Sequence, residues 1–230
     1  MLVTGGSKGI GRVIAEHFRD AGYRVAATYR SGSVPDGVLG IMCDITDQAQ
    51  VDAAFETVES ELGSVEVLVA NAGVTKDTLI ARMSDADWDS VIDTNLTGTF
   101  RVVRRAARPM TRARFGRVIL VSSVVALLGS PGQVNYAASK SALVGMARSL
   151  TRELGSRNIT CNVIAPGFID TDMTAVLSED TIAGYKARIP AGRLGDSSDV
   201  AAAALYLAGD GAGYVSGAVL PVDGGLGMGH

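Results

Sequence analysis

Thr4-Gly5-Gly6-Ser7-Lys8-Gly9-Ile10-Gly11 is the stretch on which the reading of the fold turns. It follows a short apolar run, Leu2 to Thr4, and opens a segment in which Ile10, Val13, Ile14 and Phe18 recur at helical spacing. A strand, a glycine-rich turn and a helix in that order suit a phosphate group. Glycine lets backbone approach an anion closely, and the first helical turn supplies oriented N–H donors. Gly5, Gly9 and Gly11, spaced G-x-x-x-G-x-G, are candidate nucleotide-binding residues together with Ser7, Lys8 and Ile10.

Outward from this turn, short apolar runs at residues 24–29, 38–43, 67–70, 118–121, 159–164 and 218–222 read as buried strands. Between them lie helical patterns such as Val51, Phe55, Val58 and Leu62. Strands alternating with helices imply a doubly wound, Rossmann-like α/β fold: a parallel sheet with helices on both faces. Seven strands result if Leu2 to Thr4 is the first, which is short enough to suggest that the chain begins a few residues late. Ser84 and Asp87 form a capping-box pattern that should start the helix carrying Trp88, Val91 and Ile92. No repeat, low-complexity tract or linker is visible, so the 230 residues read as a single domain spanning 1–230. Residues 170–196, with Gly184, Pro190, Gly192 and Gly195, are the least regular segment, and 175–195 is expected to be a substrate loop or lid.

Bulk composition excludes several classes. Hydrophobic residues at 47% and charged residues at 20% fit a globular core. A net charge of −3 offers no general attraction for nucleic acid or an anionic membrane, and no apolar run is long enough to span a bilayer. Neither an export signal nor a Cys-x-x-Cys pair is present, so a reducing cytoplasm is the simplest setting. Cys43, Cys161, His17 and His230 are too few soft ligands for a metal site, and both cysteines read as core.

In an open parallel sheet the crevice at the carboxyl ends of the strands receives the ligand. The second strand ends at Tyr29-Arg30, where NAD selectivity would call for an acidic residue. Arg30 suits the 2′-phosphate of NADPH instead, with Lys8 adding a second positive charge. Asp44 ends the third strand, where its carboxylate could accept from the adenine amino group, and Ile45 follows it. Asn71-Ala72-Gly73, Ser123 and Pro166-Gly167 reach the same edge from later strands.

Asn135-Tyr136-Ala137-Ala138-Ser139-Lys140 sets a phenol and an ammonium on one helical face, four residues apart. At about 4 Å and an effective dielectric of ~20 their attraction is roughly 4 kcal/mol. That would lower the tyrosine by ~3 units from about 10, into the range where a general acid–base works best. The arginine-rich run Arg101, Arg104, Arg105, Arg108, Arg112, Arg114 and Arg117 reads mainly as a solvated helix and its exit. Its sharper reading is a docking patch for an acidic partner.

These motifs together resemble the short-chain dehydrogenase/reductase family over essentially the whole chain. The residues carrying the likeness are Thr4 to Gly11, Asp44, Asn71-Ala72-Gly73, Asn95, Ser123, Tyr136, Lys140 and Pro166-Gly167. Within it, residues 132–140, 162–173 and 216–225 look most like 3-oxoacyl-[acyl-carrier-protein] reductases, and residues 28–30 and 227–230 like the actinobacterial type. The resemblance implies that Tyr136 gives a proton to the substrate oxygen as hydride arrives from NADPH. It implies that Lys140 holds the ribose hydroxyls and that Ser123 (rather than Ser122) bonds the substrate carbonyl. Asn95 would anchor a water, and Ile169 and Thr171 would meet the nicotinamide side of the cofactor. It further implies an acyl carrier protein as partner and a homotetramer. Substrate choice would be made between Ala175 and Ile189.

Overall fold

The computed structural model describes residues 1–170 and 179–228. Seven parallel strands form one sheet: β1 (Leu2–Thr4), β2 (Ala26–Tyr29), β3 (Leu39–Met42), β4 (Val67–Ala70), β5 (Gly116–Val121), β6 (Ile159–Pro166) and, last in the chain, β9 (Val219–Val222). Their order is β3-β2-β1-β4-β5-β6-β9. The winding reverses between β1 and β4, where Leu2 and Val3 pair with Leu68 and Val69. Loops leaving these two strands diverge there, which is why ligand crevices form at such switch points. A short sheet of β7 (Ile169–Asp170) and β8 (Gly195–Asp196) stands beside the end of β6.

Side chains alternate across the strands, so each face of the sheet gathers its own core. On one face Leu2, Ala26, Leu68, Leu120 and Val163 meet α2 (Gln48–Leu62), α4 (Thr99–Ala113) and α6 (Val134–Leu154) through Phe55, Val103, Met110 and Leu143. On the other, Val3, Ala27, Val69, Ile119 and Ile164 meet α1 (Gly9–Asp20) and α8 (Ser197–Ala208) through Ile14, Phe18, Val200 and Leu207. Val69 and Leu68 are adjacent yet belong to opposite cores, the period-two pattern of a strand covered on both sides.

Local signals hold where the backbone alone decides them. Ser84 caps α3 (Asp85–Ile92) in a reciprocal box with Asp87, as the sequence suggests. Asp196 and Asp199 do the same for α8. The expectation of an irregular segment over 170–196 needs correction. Its described part contains helix α7 (Glu179–Arg188) as well as β7 and β8. Gly184 disfavours a helix by propensity. The ring of Tyr185 nevertheless stacks on Phe168, with centroids 3.9 Å apart, tying α7 to the loop after β6. Tertiary contact supplies there what local sequence lacks. Among the described residues no helix is long and apolar enough to cross a membrane.

Candidate active site

At the switch point the glycines fall into two kinds. Gly5 and Gly9 take positive φ, +72° and +53°, where a side chain would be strained. Gly11 is needed for space: a Cβ there would lie 2.3 Å from the Gly5 carbonyl oxygen and 2.4 Å from Asn71 Nδ2. The turn is therefore locked to β4. Asn71 Nδ2 donates to the carbonyls of Thr4 (3.0 Å) and Gly5 (3.3 Å), and Thr4 Oγ1 accepts from the amides of Asn71 and Ala72. Lys8 is exposed at the N-cap of α1 and makes no side-chain capping bond, while Ser7 and Ile10 are half-buried beside it. Gly32, two residues past Arg30, brings its chain against Ser7, so the end of β2 borders the glycine turn.

Arg30 and Asp44, expected to hold opposite parts of one adenosine, contact each other at 3.5 Å. Burial pushes the Asp44 carboxyl up, but hydrogen bonds from the Thr46 amide and hydroxyl, with help from Arg30, leave it below the usual range. It is a carboxylate at neutral pH, with Oδ1 already engaged by Thr46. The side chain of Ile45 is part of the core rather than the crevice surface.

The second half of the site is built on β5 and α6. Ser122 and Ser123 follow the last residue of β5, and the hydroxyl of each meets α6 at a different residue. Ser122 Oγ donates to the Lys140 carbonyl at 2.9 Å, whereas the Ser123 hydroxyl shares a hydrogen bond with the Tyr136 phenol. Ser123, not Ser122, is therefore the hydroxyl beside the Tyr136 phenol. Beneath the phenol, Lys140 is 4% exposed, its Nζ donating 2.8 Å to the Val121 carbonyl and lying 5.8 Å from the Tyr136 ring centre. Gly73 is the neighbour that makes room, since a Cβ there would stand 3.2 Å from both Lys140 Nζ and Asn95 Oδ1.

Asn95 sits in a π-helical turn, Asp93–Gly98, that continues α3 into α4. Such turns widen a helix by one residue and often mark functional positions. Its buried amide clamps Val74, accepting from its N–H at 2.8 Å and donating to its carbonyl at 2.9 Å. It also donates to Ser139 Oγ at 3.1 Å. Both amide protons are thus used within the protein, so any water held here would have to bond other atoms of the turn. At the far rim Gly167 packs so tightly on Asp223 that a Cβ would meet its Cα at 2.7 Å. Pro166 accepts from the Val124 amide, and the side chain of Ile169 is buried. Thr171 lies outside the described residues.

The electrostatics reverse one expectation. Tyr136 is not drawn towards neutrality by Lys140. Burial around its hydroxyl raises the phenol above its ordinary value, the Ser123 hydrogen bond lowers it in part, and Asp77 raises it again. Lys140 bears its own desolvation, falling from 10.5 to about 8. The helical spacing was read correctly, but a shared face at 5.8 Å with burial is a different balance from a solvated pair at ~4 Å. At neutral pH the pair is a neutral phenol above an ammonium.

Comparison with known proteins places this geometry. The family described as Enoyl-(Acyl carrier protein) reductase matches residues 5–227. The chain belongs to that family. Its members are short-chain dehydrogenases/reductases, and such reductases bind a nicotinamide cofactor. Among curated relatives, the 3-oxoacyl-[acyl-carrier-protein] reductase MabA of Mycobacterium tuberculosis is 50% identical over 230 residues, all of this chain and 93% of the relative. MabA of Mycobacterium avium matches equally, covering 90% of that protein. The 3-oxoacyl-[acyl-carrier-protein] reductase FabG of Escherichia coli is 45% identical over 235 residues, 99% of this chain and 96% of its own.

A short-chain reductase needs a place for a dinucleotide, and the described residues fit one. Gly5 and Gly9, at positive φ, leave backbone without side-chain cover at the start of α1. Lys140 has three N–H donors and, among the described residues, one hydrogen bond. A buried ammonium with spare donors beside the side-chain-free Gly73 is suited to a diol such as ribose. Sequence reading gave no role of their own to Thr4, Asn135 and Ser139. All three are buried polar residues adjoining named motif positions, and that pattern is the signal that could have singled them out.

Proposed function

We propose that this chain is an NADPH-dependent 3-oxoacyl-[acyl-carrier-protein] reductase, forming the 3-hydroxyacyl product in fatty acid elongation. The observation that carries the reading is the Ser123–Tyr136 hydroxyl pair above the buried Lys140 at the ligand edge of the sheet. The names of the full-length relatives supply the substrate class. Bound NADPH supplies a hydride to the 3-carbonyl carbon. Ser123 donates a hydrogen bond to the carbonyl oxygen, favouring the charge that develops there. Tyr136, kept protonated by burial, gives its proton to that oxygen. Lys140 holds the ribose hydroxyls and stabilises the phenolate left behind.

Arg30 and Lys8 are the residues that would meet the 2′-phosphate, Arg30 turning from Asp44 to do so. Asp44, Asn71, Gly73, Pro166, Gly167, Ile169 and Thr171 complete the proposed cofactor contacts, and Asn95 supports the floor through Val74 and Ser139. The acidic carrier would dock on α4. Arg101 and Arg105 are already paired, with Asp93 and with Glu59, and Arg117 is buried. Exposed Arg108 and Arg112 have no ion-pair partner among the described residues and are the better candidates. A cytoplasmic homotetramer is the assembly we propose, Phe100 and Val134 being apolar and exposed on α4 and α6.

The family description mentions enoyl reduction, which makes a direct competitor. NADPH oxidation should be measured with 3-oxoacyl thioesters of increasing length, on carrier protein and on coenzyme A, beside 2-enoyl thioesters and NADH. Turnover of the 3-oxo series with NADPH supports the reading. Preference for the 2-enoyl thioester would replace it with enoyl reduction.

A further inference from the structure

Tyr136 is the third residue of α6, whose N-cap is Gln133, and its position depends on how that helix starts. No side chain of the helix's own N-cap closes the first turn. Instead the start is laced to residues 76–78, in the loop after β4. Gln133 Nε2 donates to Asp77 Oδ2 at 2.8 Å, and the Thr78 amide donates to the Gly132 carbonyl at 2.8 Å. The fully buried Asn135 donates through Nδ2 to the carbonyls of Lys76 (3.1 Å) and Asp87 (3.2 Å). Its Oδ1 accepts from the Tyr136 amide at 2.8 Å. Except for the bond from the Tyr136 amide to its neighbour Asn135, these bonds join residues 48 to 59 positions apart, so they are tertiary and not helical.

We propose that Asp77, clasped by Gln133, is a positioning residue for the Tyr136 phenol, carried on a strap of residues 76–78 that fastens the β4 edge to the start of α6. None of the motif positions discussed above includes it. Asp77 touches neither reacting atom; it acts through Gln133 and through its charge. The groups facing the phenol from the surrounding elements are Ser123 from the end of β5, Lys140 from α6 itself and Asp77 from the strap. Lys76 belongs to the strap itself, and Asp87 lies beyond it with its carboxylate accepting from Ser84 Oγ. Asp77 is the anion that acts on the phenol, and its direction is to favour the protonated form, the one a reductase requires.

This inference rests on the reading of Tyr136 as proton donor, but its test does not require turnover. Tyr136 ionisation is followed by ultraviolet difference absorbance between the protein and its Tyr136→Phe variant. Asp77→Asn keeps an acceptor for Gln133 and removes the charge; it should lower the ionisation midpoint. On 3-oxoacyl thioester it should keep neutral-pH kcat within about twofold and move the loss of activity at high pH to lower pH. Asp77→Ala and Gln133→Ala should each lower kcat about tenfold, with KM for NADPH unchanged, and the double variant should be no slower than either. An unshifted midpoint in Asp77→Asn, or additive losses in the double variant, would overturn the proposal. Absence of turnover in the unaltered protein would instead count against the proposed function, with the ionisation midpoint still deciding the strap.

Discussion

The two ends of the ligand crevice are made from different materials. At the β1–β4 end the site is backbone: glycines at positive φ, a carbonyl of Gly5 that tolerates nothing at Gly11, and an Asn71 amide tying strands together. At the β5–α6 end it is side chains with little exposure: Ser123, Tyr136, Asn95 and Ser139 in one hydrogen-bonded group, with the buried Lys140 beside it bonded to the Val121 carbonyl. A backbone site depends on steric allowance, which is a property of residue type and order. A side-chain site depends on desolvation, which is a property of everything packed around it. The first should break by crowding and lose stability with it. The second should break chemically while the fold survives.

The largest expected effect lies at the side-chain end. Lys140→Met should cut turnover on the order of a thousandfold. It should also stabilise the protein, because folding holds Lys140 at about 8 against 10.5 in solvent. A depressed lysine costs stability while both states would otherwise be protonated, below about pH 8. That cost, roughly 3 kcal/mol, is relieved as pH rises from about 8 towards 10.5. Thermal melts at pH 7 should therefore show a higher Tm in the variant, with the gap closing by pH 10. A lower Tm at pH 7 would count against the buried ammonium.

Gly11→Ala tests the other end. A methyl 2.3 Å from a backbone oxygen cannot be absorbed by a rotamer change, so about 3 kcal/mol of stability should be lost, and NADPH affinity with it. Denaturant midpoints and a fluorescence titration would show both; a loss of affinity at full stability would mean that Gly11 serves the ligand and not the packing. Arg30→Asp should favour NADH over NADPH by at least about tenfold relative to the parent, read as a ratio of kcat/KM values. The smallest effect belongs to the carrier surface. Arg108→Glu with Arg112→Glu should raise KM for a carrier-bound substrate a few-fold and leave that for a coenzyme A analogue alone. Equal changes in both would remove α4 from the docking account.

The same contrast explains what could be read in advance. Strand positions and the Ser84–Asp87 cap follow from periodicity and residue type, and the structure places them within a few residues. That Ser123, Tyr136 and Lys140 adjoin was also legible, because strand ends and helical spacing bring them together. Their energetics were not. The Tyr136–Lys140 spacing gives a common face, but the direction of the tyrosine shift needed the burial of both groups. Asn95 was legible as a motif residue, yet its clamp on Val74 belongs to a π-turn that leaves no mark in composition. Helix α7 escaped notice because its support, the stacking of Tyr185 on Phe168, joins residues from separate elements. Arg117 reads as one more solvated arginine, yet it is 3% exposed at the start of β5, over the ring of Phe115.

One comparison tests the central claim most directly: NADPH oxidation by the parent protein and by Tyr136→Phe with a 3-oxoacyl thioester on acyl carrier protein, alongside NADPH binding by each. The account predicts ready turnover in the parent, a loss of about a hundredfold or more in the variant, and nearly equal binding of NADPH. A variant that reduces the thioester as fast as the parent would contradict the assignment of Tyr136 as the proton donor.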